Sequence, residues 1–120
     1  MYDDWPETTK VLSAQLRNLR GGAPDVMKAF SAIAQAALAP KALDAKTKEL
    51  IALGISVVIR CDDCIAFHVK AALERGATRE EIGETLGMAI YMGAGPSVMY
   101  ASHAFAALQQ FEAEKAMAPA

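Results

Sequence analysis

The stretch that decides the fold runs from residue 45 to residue 76 and reads AKTKELIALGISVVIRCDDCIAFHVKAALERG. Its first half is strongly apolar, its second half carries two cysteines and a histidine, and a glycine closes it. We predict helices over residues 44–58 and 61–75, because Asp44 can cap the first and Gly76 can end the second. The β-branched run at residues 55–59 is the alternative, a buried strand, but no other strand is available to pair with it.

Outside this stretch, glycine and proline divide the chain into further helical segments. Apolar residues recur at helical spacing in residues 8–19 and 25–38. Residues 78–81 form a capping box that starts a fifth helix, which ends near residues 93–95, and Pro96 fits the first turn of a sixth. The sequence therefore predicts an all-α fold, a compact bundle of about six helices. A chain of 120 residues has the size of one domain, so we assign residues 1–120 to a single domain.

Composition limits the classes of function. The formal net charge is -2 and only 7% of residues are aromatic, so the chain has neither the basic face nor the stacking platform that nucleic acid requires. The longest apolar run, residues 50–59, is too short to cross a bilayer, and the acidic start does not resemble a signal peptide. We therefore expect a soluble cytoplasmic protein. Because 53% of residues are hydrophobic in so short a chain, we also expect a homo-oligomer.

The candidate chemistry is concentrated in two cysteines and a histidine. Cys61 and Cys64 are three residues apart at a predicted helix start, which brings their side chains close enough for a disulfide. His68 follows Cys64 by one helical turn and can act as a base for a thiol. Antiparallel packing of the third and fourth helices would bring Glu49 against His68, which it could orient. The cytosol keeps thiols reduced, so this pattern favours a redox pair over a permanent crosslink.

Two features leave other interpretations open. The start of a helix stabilises a thiolate, whereas the negative charges of Asp62 and Asp63 oppose it. A structural zinc site is the alternative use of the cysteines, but it needs four ligands, so His103 or Glu49 would have to complete the set with His68. Considered alone, His103 is more typical of a core or interface histidine than of a catalytic one.

The spacing of these residues matches a known family. Glu49, eleven residues, Cys61-x-x-Cys64, three residues and His68 resemble the signature of the alkyl hydroperoxidase D-like proteins of the carboxymuconolactone decarboxylase family. The resemblance extends from about residue 30 to residue 111. It is carried as well by the flanking segments at residues 45–51, 68–78 and 93–97.

The resemblance implies an all-α homo-oligomer, commonly a trimer or hexamer. It also implies thiol peroxidase or disulfide reductase activity without metal or haem. By position, Cys64 resembles the thiol that attacks the hydroperoxide, Cys61 the resolving thiol, and His68 with Glu49 the proton relay. The oxidised pair would then be reduced by a partner thiol or a dihydrolipoyl group.

One position departs from the family pattern. Well-characterised hydroperoxidases carry a histidine directly before the second cysteine, where this chain has Asp63. The departure implies weaker peroxidase activity or a different oxidant, such as another disulfide. The decarboxylase branch of the family typically lacks the cysteine pair, so a non-redox decarboxylase is the second functional hypothesis. It would depend on Glu49, His68 or His103.

Overall fold

A computed structural model describes residues 4–118, which contain helices and no strand. The helices are α1 (Trp5–Gly22), α2 (Pro24–Leu38), α3 (Ala45–Val58), α4 (Asp62–Glu74) and α5 (Arg79–Met117). The predicted all-α class is confirmed. The strand alternative for residues 55–59 is wrong, because these residues form the last turn of α3 and its C-terminal cap.

The first helix is longer than the apolar pattern predicted. It begins three residues earlier, at Trp5, because the Asp4 side chain accepts a hydrogen bond from the backbone N–H of Glu7 at 3.0 Å. Pro6 lies in the first turn, where its missing N–H leaves no hydrogen bond unmade. The early start buries Trp5, only 1% exposed, against the rest of the bundle.

Residues 4–118 contain five helical elements, and the last of them, α5, spans the fifth and sixth helices that the sequence predicted. The predicted break lies inside it, at Ala94, whose φ of 55° and ψ of -139° are not helical. A straight helix of 39 residues would be about 58 Å long, whereas the longest dimension of the molecule is 38 Å. Arg79 and Glu112, near opposite ends of α5, form an ion pair at 2.8 Å. The two parts of α5, a first arm (residues 79–93) and a second arm (residues 95–117), therefore fold back on each other.

The core lies between α3, α4 and the two arms of α5. It consists mainly of small and aliphatic side chains, among them Leu53, Val57, Ile65, Val69, Ile82 and Leu108, which are fully buried. Alanines contribute much of the rest, so the helices approach closely. This packing fixes α3 against α4, and these two helices with the turn between them carry the candidate site residues Glu49, Cys61, Cys64 and His68.

The second helix stands apart from this core. None of the residues of α2 is buried. Val26, Phe30 and Ile33 are each more than 60% exposed. Among residues 4–118, none of the helices is long and apolar enough to cross a membrane.

Candidate active site

The turn between α3 and α4 positions the cysteines. At the end of α3, the backbone N–H of Cys61 donates to the Ser56 carbonyl at 3.0 Å, and the N–H of Arg60 donates to the Val57 carbonyl at 3.1 Å. This hydrogen-bond pair is a Schellman motif, which requires a left-handed residue after the helix. Arg60 is that residue, with a φ of 61°. The turn reverses the chain and makes Cys61 the N-terminal cap of α4.

The two cysteines form a disulfide at the start of α4, with Cα atoms 5.2 Å apart. The predicted proximity of the pair is therefore present in the structure. Cys61 caps the helix through its sulfur, which accepts a hydrogen bond from the backbone N–H of Cys64 at 3.2 Å. Unpaired N–H groups give a helix start a partial positive charge, so this sulfur lies where a thiolate would be stabilised.

His68, the base predicted from the sequence, lies one helical turn after Cys64 on α4. His68 Nδ1 is 2.7 Å from Oε1 of Glu49, the fifth residue of α3. Glu49 is only 7% exposed, whereas His68 is half-buried. A buried carboxylate bound to Nδ1 fixes the orientation of the imidazole and leaves Nε2 to exchange protons. Antiparallel packing of α3 and α4 produces the contact that the sequence predicted.

Ser56 shares the stripe of α3 that carries Glu49, and it is also buried. Its hydroxyl donates to the carbonyl of Ala52 at 2.7 Å, one turn earlier in the same helix. The hydroxyl is thus engaged by its own helix rather than by the Glu49–His68 pair. This hydrogen bond gives the buried Ser56 hydroxyl a partner within α3.

A second histidine–carboxylate pair was missed from the sequence. His103 Nδ1 is 2.8 Å from Oδ1 of Asp62, the first residue of α4. The rings of Tyr100 and Trp5 flank His103, with centroids 5.0 and 6.3 Å from its own. The pair joins residues 41 positions apart, and no local pattern signals such a contact. The one feature of the sequence that could have indicated the pair is the carboxylate of Asp62, directly after Cys61.

The geometry gives no support to the zinc alternative. Within residues 4–118, no three His, Cys, Asp or Glu side chains form a group that could hold a metal ion. The two residues that would have completed the ligand set are engaged elsewhere. Glu49 binds His68, and His103 binds Asp62.

An open apolar groove of about 430 Å³ lies between α3 and the first arm of α5. Its walls include Leu50, Ile51, Ile55, Val58, Met88 and Met92. The groove runs along the face of α3 opposite the one that carries Glu49, and Val58 at its end precedes Cys61 by three residues in sequence.

Sequence comparisons place this arrangement among known proteins. The profile of the carboxymuconolactone decarboxylase family matches residues 24–107. An uncharacterized protein of Cupriavidus necator is 43% identical over 95 residues, which are 79% of this chain and 84% of that protein. The Paracoccus denitrificans protein called uncharacterized protein 4 in cox locus is 37% identical over 100 residues, which are 83% of this chain and 90% of that protein.

Solved structures agree with the sequence comparisons. A carboxymuconolactone decarboxylase family protein of Legionella pneumophila is 48% identical and superposes with a TM-score of 0.87, covering 92% of this chain and 98% of that one. A family member of Thermotoga maritima, with a proposed part in the antioxidative response, is 33% identical with a TM-score of 0.79, covering 88% and 92%. These matches confirm the family expected from the cysteine signature. The chain belongs to the carboxymuconolactone decarboxylase family.

Proposed function

We propose that this protein is a thiol-dependent oxidoreductase of the alkyl hydroperoxidase D-like type, which reduces a hydroperoxide or a disulfide. The observation that carries the proposal is the Cys61–Cys64 disulfide at the start of α4, one helical turn before the Glu49–His68 pair. A reversible disulfide needs two sulfurs within bonding distance and a nearby group that handles protons. Both requirements are met by residues of α3 and α4.

In the proposed cycle, the Cys64 and Cys61 thiols together donate two electrons to the substrate. The Cys64 thiolate attacks the terminal oxygen of a hydroperoxide, the O–O bond breaks, and the sulfur becomes a sulfenic acid. The alkoxide takes a proton and leaves as an alcohol. The Cys61 thiol then gives up its proton and attacks the Cys64 sulfur, which forms the disulfide and releases water. A dithiol reductant, such as a protein dithiol or a dihydrolipoyl group, restores both thiols and is itself oxidised to a disulfide.

In this cycle, the Glu49–His68 pair moves the protons. His68 accepts the proton of the Cys64 thiol and returns it to the departing alkoxide. Glu49 binds Nδ1 and stabilises the imidazolium that forms between these two steps. Asp63 stands where well-characterised hydroperoxidases have a histidine, so His68 has no such neighbour to share the transfer. We therefore propose slower peroxide reduction here and include small disulfides among the substrates.

The experiment that tests this function compares two cysteine variants with the parent. Turnover of an organic hydroperoxide is followed with a dithiol reductant. Cys64→Ser is expected to abolish turnover, whereas Cys61→Ser, mixed with the hydroperoxide before any reductant is added, is expected to react once and accumulate a sulfenic acid at Cys64. Turnover at the parent rate by both variants would refute the cycle.

The same variants separate the redox function from the non-redox alternative. The name of the family is the observation in favour of a decarboxylase acting on a cyclic acid. Such an activity would survive in the double variant Cys61→Ser/Cys64→Ser and would be lost on substitution of Glu49 or His68. A redox enzyme gives the opposite dependence on the cysteines.

We also propose that the chain works as a homo-oligomer, a trimer or a hexamer. Two surfaces support this proposal: α2, which exposes Phe30 at 61%, and the arms of α5, where Met99 is 60% exposed. A second copy of the chain offers matching apolar faces for both. Phe30→Glu and Met99→Lys should dissociate the assembly in light scattering, whereas the control Met117→Glu should not. A monomeric parent protein would refute the proposal.

A further inference from the structure

The Asp62–His103 pair is the one histidine–carboxylate pair that the proposed cycle leaves unused. It is largely shielded, with His103 and Asp62 side chains 15% and 23% exposed. Three separate elements build it: Asp62 begins α4, His103 lies on the second arm of α5, and Trp5 of α1 packs beside the imidazole. Placement by three elements indicates a fixed contact rather than a chance surface ion pair.

The position of Asp62 gives the pair a chemical consequence. Asp62 follows Cys61 directly, and the Cys61 sulfur accepts a hydrogen bond from the backbone N–H of Cys64 in the first turn of the same helix. A negative charge this close disfavours a second negative charge on the Cys61 sulfur. The helix start alone would favour the thiolate, so the bare Asp62 carboxylate would cancel part of that benefit.

We propose that His103 is a positioning residue that offsets the charge of Asp62 and so makes Cys61 the better leaving thiolate when the disulfide is opened. Nδ1 of His103 lies 2.8 Å from Oδ1 of Asp62, and a hydrogen bond donated to that oxygen offsets part of its negative charge. Of the groups in contact with His103, Tyr100 and Trp5 bring no charge. The remaining charged neighbours of Cys61 in sequence are Arg60 and Asp63.

The Asp62–His103 contact would assist the reductive half of the cycle, in which the disulfide is opened. A thiolate of the dithiol reductant attacks the Cys64 sulfur, the Cys61–Cys64 bond breaks, and Cys61 leaves with the electron pair. A leaving thiolate that is better stabilised departs faster. The second thiol of the reductant then attacks the mixed disulfide and releases Cys64, which completes the oxidation of the dithiol. The inference rests on the proposed function only for this placement in a cycle.

The test uses Cys61 as the sole thiol, in a Cys64→Ser background, and follows the pH dependence of its alkylation by iodoacetamide. His103→Gln removes the imidazole from the Asp62 carboxylate, so the midpoint of the alkylation curve should rise by about half to one pH unit. Asp62→Asn should lower the midpoint. The double variant should match Asp62→Asn alone, because without the carboxylate there is no charge for His103 to offset. Arg60 and Asp63 are unchanged in all four proteins, so their effects cancel.

A second measurement follows the opening of the intact disulfide by dithiothreitol. With both cysteines present, His103→Gln should slow this reaction several-fold, and Asp62→Asn should not slow it. A merely structural role would shift both alkylation midpoints in the same direction, and that result would overturn the inference. Unchanged midpoints would overturn it as well. If His103→Gln does not fold, the sign of the Asp62→Asn shift decides: a rise or no change overturns the inference.

The outcome is independent of whether the protein reduces peroxides. Alkylation and dithiothreitol reduction report on the cysteines themselves and need no hydroperoxide. If the proposed peroxidase cycle fails in the Cys64→Ser and Cys61→Ser experiment while the opposed shifts are observed, the charge compensation stands and another disulfide exchange is its use.

Discussion

Replacing Glu49 by glutamine removes one charge from a buried contact and leaves its shape in place. Glu49 is 7% exposed and lies 2.7 Å from His68 Nδ1. Glutamine can still accept a hydrogen bond from Nδ1, but it cannot stabilise an imidazolium as a carboxylate does. A hydrogen bond to a charged group contributes about 1.5–3 kcal/mol. If that stabilisation is needed in the rate-limiting proton transfer, kcat/KM should fall by roughly 10- to 150-fold.

The assay measures kcat/KM for an organic hydroperoxide with a dithiol reductant, together with the thermal midpoint of unfolding. The matched control is Glu74→Gln, which changes an exposed carboxylate on the helix that carries His68 and should have the parent rate. The double variant Glu49→Gln/His68→Gln should be no slower than His68→Gln alone, because Glu49 acts through His68. A parent rate in Glu49→Gln, with the fold intact, would refute the assignment of Glu49 to the relay.

Four further substitutions test the scaffold. Gly93→Ala would place a Cβ 1.8 Å from Oγ of the buried Ser97, so it should lower the free energy of unfolding in urea by about 1–3 kcal/mol. Gly76 has a φ of 89°, so Gly76→Ala should cost about 1–2 kcal/mol, whereas Arg60→Gly, also left-handed, should stabilise by up to about 1 kcal/mol. The hydrogen bond from Lys46 holds the pKa of Glu81 below its usual 4.5. Glu81 therefore stabilises the fold fully above about pH 4.5, and this stabilisation is lost as the pH falls through the folded-state pKa. Glu81→Gln should remove this acid sensitivity of the free energy of unfolding.

Local rules account for the parts of the fold that were predicted correctly. Gly76 ends α4 in the left-handed conformation that only glycine adopts without strain. The capping box of Thr78 and Glu81 is present, with each side chain bound to the backbone of the other residue. The spacing of Cys61 and Cys64 fixed their proximity because three residues make almost one helical turn. Each of these features depends on residues close together in sequence.

The features that escaped prediction depend on contacts distant in sequence or on unusual residues. Arg60 adopts a left-handed conformation that its residue type does not signal. Trp5 is buried because α1 docks on α5, where the backbone N–H of Trp5 donates to Oε1 of Gln110 at 2.7 Å. The Asp62–His103 pair likewise depends on the docking of α5 onto the start of α4. Helical periodicity identifies the faces of helices but not which residues meet across them.

The most direct test of the redox assignment counts thiols. The fully reduced protein, with its two cysteines, is mixed with one equivalent of an organic hydroperoxide and sampled over seconds to minutes. The proposed cycle predicts that both thiols disappear together as the Cys61–Cys64 disulfide forms, and that Cys64→Ser prevents the rapid loss. Persistence of both thiols, or their loss no faster than that of a free cysteine, would contradict peroxide reduction by this pair.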